Sequence, residues 1–83
     1  IAKLLIQKKL AACVSTKHIN SIFKWEDAIE EIEEIEITIK SKPALREQII
    51  LFVQKMSSYE VPQIIFKKFY AESEYHDWLI KTI

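Results

Sequence analysis

Glycine is absent from this 83-residue chain. Average usage of about 7% would place about six in a chain of this length. No glycine-rich loop can therefore cradle a phosphate, which excludes P-loop and dinucleotide-binding readings. Turns that need a positive φ must fall on residues that tolerate it, and Asn20 and Asp27 are the expected ones. Cysteine occurs once, at Cys13. That excludes an intrachain disulfide, a Cys-rich zinc site and any C-x-x-C carrier of soft metals. Neither sign of charge is in excess, since twelve Lys and Arg balance twelve Asp and Glu. A nucleic-acid surface needs a basic excess on one face, so no nucleic-acid partner is expected. No apolar run approaches the ~18 residues of a membrane-spanning helix, so no membrane partner is expected either.

What is present is a heavy apolar load. Hydrophobic residues make up 49% of the chain, with two Trp, three Tyr and four Phe among them. The length allows one small domain over residues 1–83, and a domain of this size buries only about 60% of its unfolded surface. The apolar content exceeds what one such core can hide, so part of it is expected to meet another subunit.

The periodicity alternates between helix and strand. Ile1 to about Leu10 reads as the end of an amphipathic helix, with Ile1, Leu4 and Leu5 on one face. Ala12 to Glu26 reads as a long strand, bent near Lys17 to Asn20, in which Ser21, Phe23 and Trp25 alternate with Ile22, Lys24 and Glu26. From Glu34 the alternation is clean: Ile35, Ile37 and Ile39 on one face, Glu34, Glu36, Thr38 and Lys40 on the other. A strand is expected from about residue 31, with Glu26-Asp27-Ala28 at the hairpin tip. Lys42-Pro43 opens a helix whose stripe is Leu45, Ile49, Phe52, Val53 and Met56. Pro62 can open a strand but not sit centrally in one, and Ile64 to Tyr70 is the expected strand. Ser73 is the expected cap of a last helix with Tyr75, Trp78 and Leu79 on its apolar face. One strand placed before Ile1 turns this order into βαββαβ plus a terminal helix. That is an α+β, ferredoxin-like split-βαβ sandwich; the chain is expected to be N-terminally incomplete.

No catalytic constellation is visible. His18 and His76 have no cysteine, serine or carboxylate at a spacing that would pair nucleophile with base, so no enzyme activity is expected. Cys13 is a candidate soft-metal ligand. It also reads as a small core hydrophobe beside Ala11, Ala12 and Val14, with no local cation to activate it. Glu34 stands on a charge-rich strand face and is a candidate ligand for a divalent cation. The same acidic face also reads as solvated surface that discourages stray edge pairing. Trp25, Phe23 and Trp78 are expected to be packing and interface anchors.

Four blocks carry a resemblance: Leu10-Ala11-Ala12-Cys13, Ser21-Ile22-Phe23-Lys24-Trp25-Glu26, Lys40-Ser41, and Tyr59-Glu60-Val61-Pro62 followed by Tyr75 and Trp78. Together, in this order, they resemble the CutA divalent-cation-tolerance family. The resemblance implies an intertwined, PII-like homotrimer with clefts between subunits, located in the cytoplasm. It implies weak binding of a divalent metal ion, copper, and a response to metal ions. The acidic Glu34 and basic Lys40 match positions of that character in the family. Tyr59 usually follows, by two residues, a histidine that is the family's best metal-ligand candidate; here that position is Ser57. Imidazole is the nitrogen donor such a copper site uses, and a hydroxyl does not replace it. The metal donors expected to remain are Glu34, Glu60 and Cys13, with Lys40, Tyr59 and Ser57 lining the cleft. Asp27 also stands where the family usually has glycine. The alternative reading is a metal-free trimeric scaffold or signalling module that binds a small ligand or a protein in the same cleft.

Overall fold

The computed structural model describes all 83 residues. The elements are α1 (Ala2–Gln7), β1 (Cys13–Trp25), β2 (Ala28–Lys40), a 3-10 turn (Pro43–Leu45), α2 (Arg46–Met56) and α3 (Ser73–Thr82). The expected bend in β1 is not seen. The two strands form one antiparallel ladder in a single register, from Cys13 opposite Lys40 to Trp25 opposite Ala28. Thirteen residues of antiparallel strand span about 44 Å. The hairpin therefore sets the length of a molecule measuring 46 × 25 × 19 Å.

Backbone turns without glycine are solved at three residues. Lys9 has φ 57 and sits just beyond the C-terminus of α1. The Leu10 N–H donates to the Leu5 carbonyl at 2.9 Å and the Lys9 N–H to the Ile6 carbonyl at 3.0 Å. This is a Schellman cap, complete with its apolar contact, because Leu5 and Leu10 lie in one core cluster. At the hairpin tip Glu26 and Asp27 have φ 48 and 66, the pair of positive angles that a type I′ turn needs. Asp27 thus behaves as the sequence suggests. Asn20 does not: it lies in the β1 ladder opposite Glu33, so its backbone is extended, and the left-handed residues besides Asp27 are Lys9 and Glu26.

The core sits at the base of the hairpin, where Leu5, Leu10, Ala11 and Ile49 cluster and Val14, Ile39, Leu45, Phe52 and Val53 pack against them. The Ser41 hydroxyl donates to the Leu10 carbonyl at 2.6 Å and closes this end. Val14 and Ile39 are a cross-strand pair, so α1 and α2 pack on the sheet face that also carries Ile35 and Ile37. Met56 was expected on the α2 stripe but is exposed, because it ends the helix beyond the core. Only six of 83 residues are buried. Ile22, Phe23, Trp25, Ile29 and Ile35 on the outer hairpin are exposed. The expected burial of Trp25 and Phe23 is therefore not provided within one chain.

Two further expectations differ. Ile64 to Tyr70 is not a strand, and residues 62–72 join no ladder. In a split-βαβ sheet the last strand pairs with the first, and no residue of this chain plays that first strand, so the ladder has no partner to form with. Pro62, half-buried, therefore opens no strand. The cap of α3 is Glu72 in place of Ser73: its side chain accepts the Tyr75 N–H at 3.0 Å. A carboxylate one residue earlier serves the same orphan donor and also faces the positive end of the helix dipole. No helix is long and apolar enough to cross a membrane.

Candidate functional site

The sheet has two faces by strand alternation. One carries Val14, Thr16, His18, Asn20 and Ile22 and meets the helices at its base. The other carries Cys13, Lys17, Ser21, Phe23 and Trp25 from β1, opposite Lys40, Glu36, Ile32, Glu30 and Ala28, with Glu34 facing Ile19. On this second face the segment leaving α2 returns to the hairpin. The Tyr59 phenol donates to Glu34 Oε2 at 2.8 Å, across 25 residues of chain. The Tyr59 N–H donates to Ser57 Oγ at 3.1 Å, which sets the turn out of α2. Ser57 itself still belongs to the helix end, its N–H donating to the Val53 carbonyl at 2.8 Å.

Two hydroxyls face the Glu34 carboxylate. The Ser21 hydroxyl, and then the Tyr59 phenol, hold Glu34 below the usual carboxylate range, against a smaller upward push from burial. Both donors favour the charged form. The same contact raises Tyr59 above the ordinary phenol value, because Glu34 accepts its proton and repels a phenolate. The arrangement thus keeps one ionised carboxylate, with a phenol against it, on an accessible surface.

Of the candidates, the structure brings together Glu34, Tyr59 and Ser57. Glu60 is exposed next to Tyr59. Cys13 and Lys40 lie elsewhere. They face each other at the hairpin base, six strand positions from Glu34, or about 20 Å. Lys40 Nζ lies 5.5 Å from the centre of the Tyr75 ring, and Tyr75 stacks at 5.4 Å and 39° on Trp78. Lys40 and Trp78 therefore form a second, aromatic group. No three His, Cys, Asp or Glu side chains of the chain gather closely enough to hold a metal ion. Sequence reasoning missed Ser21 as a Glu34 partner; its signal was present, since Ser21 and Glu34 are diagonal on one face. On the same face Glu36 pairs with Lys17 at 3.8 Å.

A long hairpin backed by helices at its base, with a terminal helix beyond, places the chain in the α+β, ferredoxin-like class that includes PII-like proteins. The model of the CutA1 divalent ion tolerance protein family matches residues 1–82, and the chain belongs to that family. The divalent-cation tolerance protein CutA of Archaeoglobus fulgidus is 36% identical over 84 aligned residues, which cover 100% of this chain and 82% of that protein. Its solved structure, described as a periplasmic divalent cation tolerance protein, aligns with a TM-score of 0.92 at 35% identity, over 98% of this chain and 80% of that one. The mouse protein CutA is 38% identical over 66 residues, 78% of this chain but 37% of its own length. The chain thus spans little more than a third of that mammalian relative. The PII-like protein CutA of Nostoc shares the fold alone, with a TM-score of 0.88 at 22% identity over 94% of this chain and 78% of that one.

Proposed function

We propose that the protein is a homotrimer that binds a divalent cation weakly at Glu34 and acts in metal tolerance, with no catalytic role. The observation that carries this reading is the Glu34 carboxylate, kept ionised by Ser21 and Tyr59 on an accessible strand face. The groups around it, the Ser21 hydroxyl and the Tyr59 phenol, are oxygens, and Glu60, the residue after Tyr59, carries another oxygen donor; oxygens suit harder ions. Copper binds there only weakly, because Ser57 takes the place of imidazole and its Oγ already accepts from Tyr59. Cys13 joins such a site only if a neighbouring subunit brings it there. The exposed apolar residues of the outer hairpin support assembly, since a monomer would leave Ile22, Trp25 and Ile29 in water.

Calorimetric titration tests this with two ions. Mn(II) should bind the wild type weakly, and Glu34→Gln should lose that binding. Cu(II) should bind Ser57→His about tenfold more tightly than the wild type, as one added imidazole ligand predicts. Sub-micromolar Cu(II) binding by the wild type, unaffected by Glu34→Gln, would sink the proposal. A second reading is favoured by Ser57: a metal-free trimeric scaffold or signalling module whose inter-subunit cleft takes a small ligand or a protein. Equal, weak affinities for both ions in all three proteins would select it.

A further inference from the structure

The chain leaves α2 through two hydrogen bonds made by one residue. The Ser57 N–H donates to the Val53 carbonyl at 2.8 Å, so the helix still holds Ser57. The backbone there turns extended, with ψ 140, and Ser57 Oγ accepts the Tyr59 N–H at 3.1 Å. A hydroxyl that accepts from the N–H two residues on builds a turn from a side chain, and alanine cannot build it. Residues 58–61 take part in no main-chain to main-chain hydrogen bond. Within one chain packing adds little, since Tyr59 is 52% exposed. Tyr59 is therefore held at two points: its N–H by Ser57, and its phenol by Glu34 Oε2 at 2.8 Å.

The first point serves the second. The phenol stands at the far end of a rigid ring. A small rotation of the Tyr59 backbone carries its oxygen out of the range of about 2.5–3.0 Å in which an O–H to O bond is strong. Without the Ser57 bond, closing the phenol onto Glu34 must order the backbone of residues 58 and 59 afresh, against their conformational entropy. Ser21, the other hydroxyl on Glu34, belongs to β1 and is fixed by the ladder. It does not depend on how the chain leaves α2, so Ser57 governs the Tyr59 arm alone.

We propose that Ser57 is a positioning residue: through the Tyr59 N–H it aims the phenol at Glu34, and so decides whether that carboxylate meets a ligand with the phenol against it or with Ser21 alone. The bearing on a bound ion rests on the Glu34 reading above. The positioning itself is tested without any ion, so its failure leaves that reading to the Mn(II) titration. Tyrosine labelled with ¹³C at the ring Cζ gives one resonance each for Tyr59, Tyr70 and Tyr75, and each reports the hydrogen bonding of its own hydroxyl. At neutral pH, Glu34→Ala should displace the Tyr59 resonance. Ser57→Ala should displace it in the same direction, by more than half as much. Ser57→Thr, which keeps the hydroxyl, should restore the wild-type position. Ser57 lies outside the core cluster, so Ser57→Ala should fold and leave the Tyr75 resonance in place. A purely structural role would lower the melting temperature without moving Tyr59. A Tyr59 resonance that stays at the wild-type position in Ser57→Ala, or that Ser57→Thr fails to restore, overturns the proposal.

Discussion

Replacing Trp25 with alanine tests whether the outer hairpin is an assembly surface. Trp25 is 43% exposed in the single chain. A tryptophan offers roughly 250 Å², so about 100 Å² of this residue waits to be covered. At about 25 cal/mol per Å² that area contributes about 2.5 kcal/mol per subunit on association. Three equivalent rings give about 7 kcal/mol, or about 10⁵ in the monomer–trimer equilibrium. The ring lies beside Ala28 at the tip, far from the core at the base, so the loss should fall mainly on assembly and little on protomer folding. Sedimentation velocity across a dilution series reads the equilibrium directly. In a Trp78→Phe background, fluorescence isolates Trp25; its emission should shift to the blue and resist quenching in the assembled protein. An unchanged dissociation midpoint, with Trp25 open to quencher in the assembly, would refute the reasoning and mark the ring as a ligand platform.

The remaining predictions concern the protomer. Leu5 is fully buried, so Leu5→Ala should cost about 3–5 kcal/mol and lower the melting temperature by more than about 10 °C in thermal denaturation. Lys9→Gly and Asp27→Gly relieve left-handed backbone at φ 57 and 66. Each should stabilise by about 1 kcal/mol, read as a rise of about 4–8 °C in melting temperature. Tyr59→Phe should move the Glu34 carboxyl back toward its ordinary value of 4.5, followed by carbon-detected NMR titration. Because folding lowers that value, the Glu34 contact stabilises the protein above pH 4.5 and is lost as pH falls through the shifted value. Tyr59 is raised, so its share is intact below pH 10.0 and is lost as pH climbs through the shifted value. The acid limb should flatten in Tyr59→Phe, and an identical pH-stability curve would refute the contact.

Local pattern was enough for the pairing of the hairpin, though not for its bounds: β2 begins at Ala28, before the expected residue 31, and β1 runs in one unbroken ladder where a bend was expected. The alternation of Ile35, Ile37 and Ile39 with Glu34, Glu36 and Thr38 set the faces of β2 before any contact was known, because strand side chains repeat every two residues. Asp27 was legible as a left-handed turn residue for an equally local reason, its short polar side chain. Lys9 was not legible, since nothing in a lysine announces the Schellman cap that its neighbours' carbonyls impose. Ile64 to Tyr70 shows the limit of pattern: alternation records a segment's willingness to extend, but a strand exists only where another backbone offers a ladder. The candidate site divides the same way. Glu34, Ser57 and Tyr59 were each marked in the sequence, and so were Cys13 and Lys40, with no means of telling which would meet. Residue 34 reaches residue 59 and not residue 13 because the chain leaves α2 on one side of a rigid two-stranded arm. The spacing of the arm, 3.4 Å per residue, then holds its base and its middle apart.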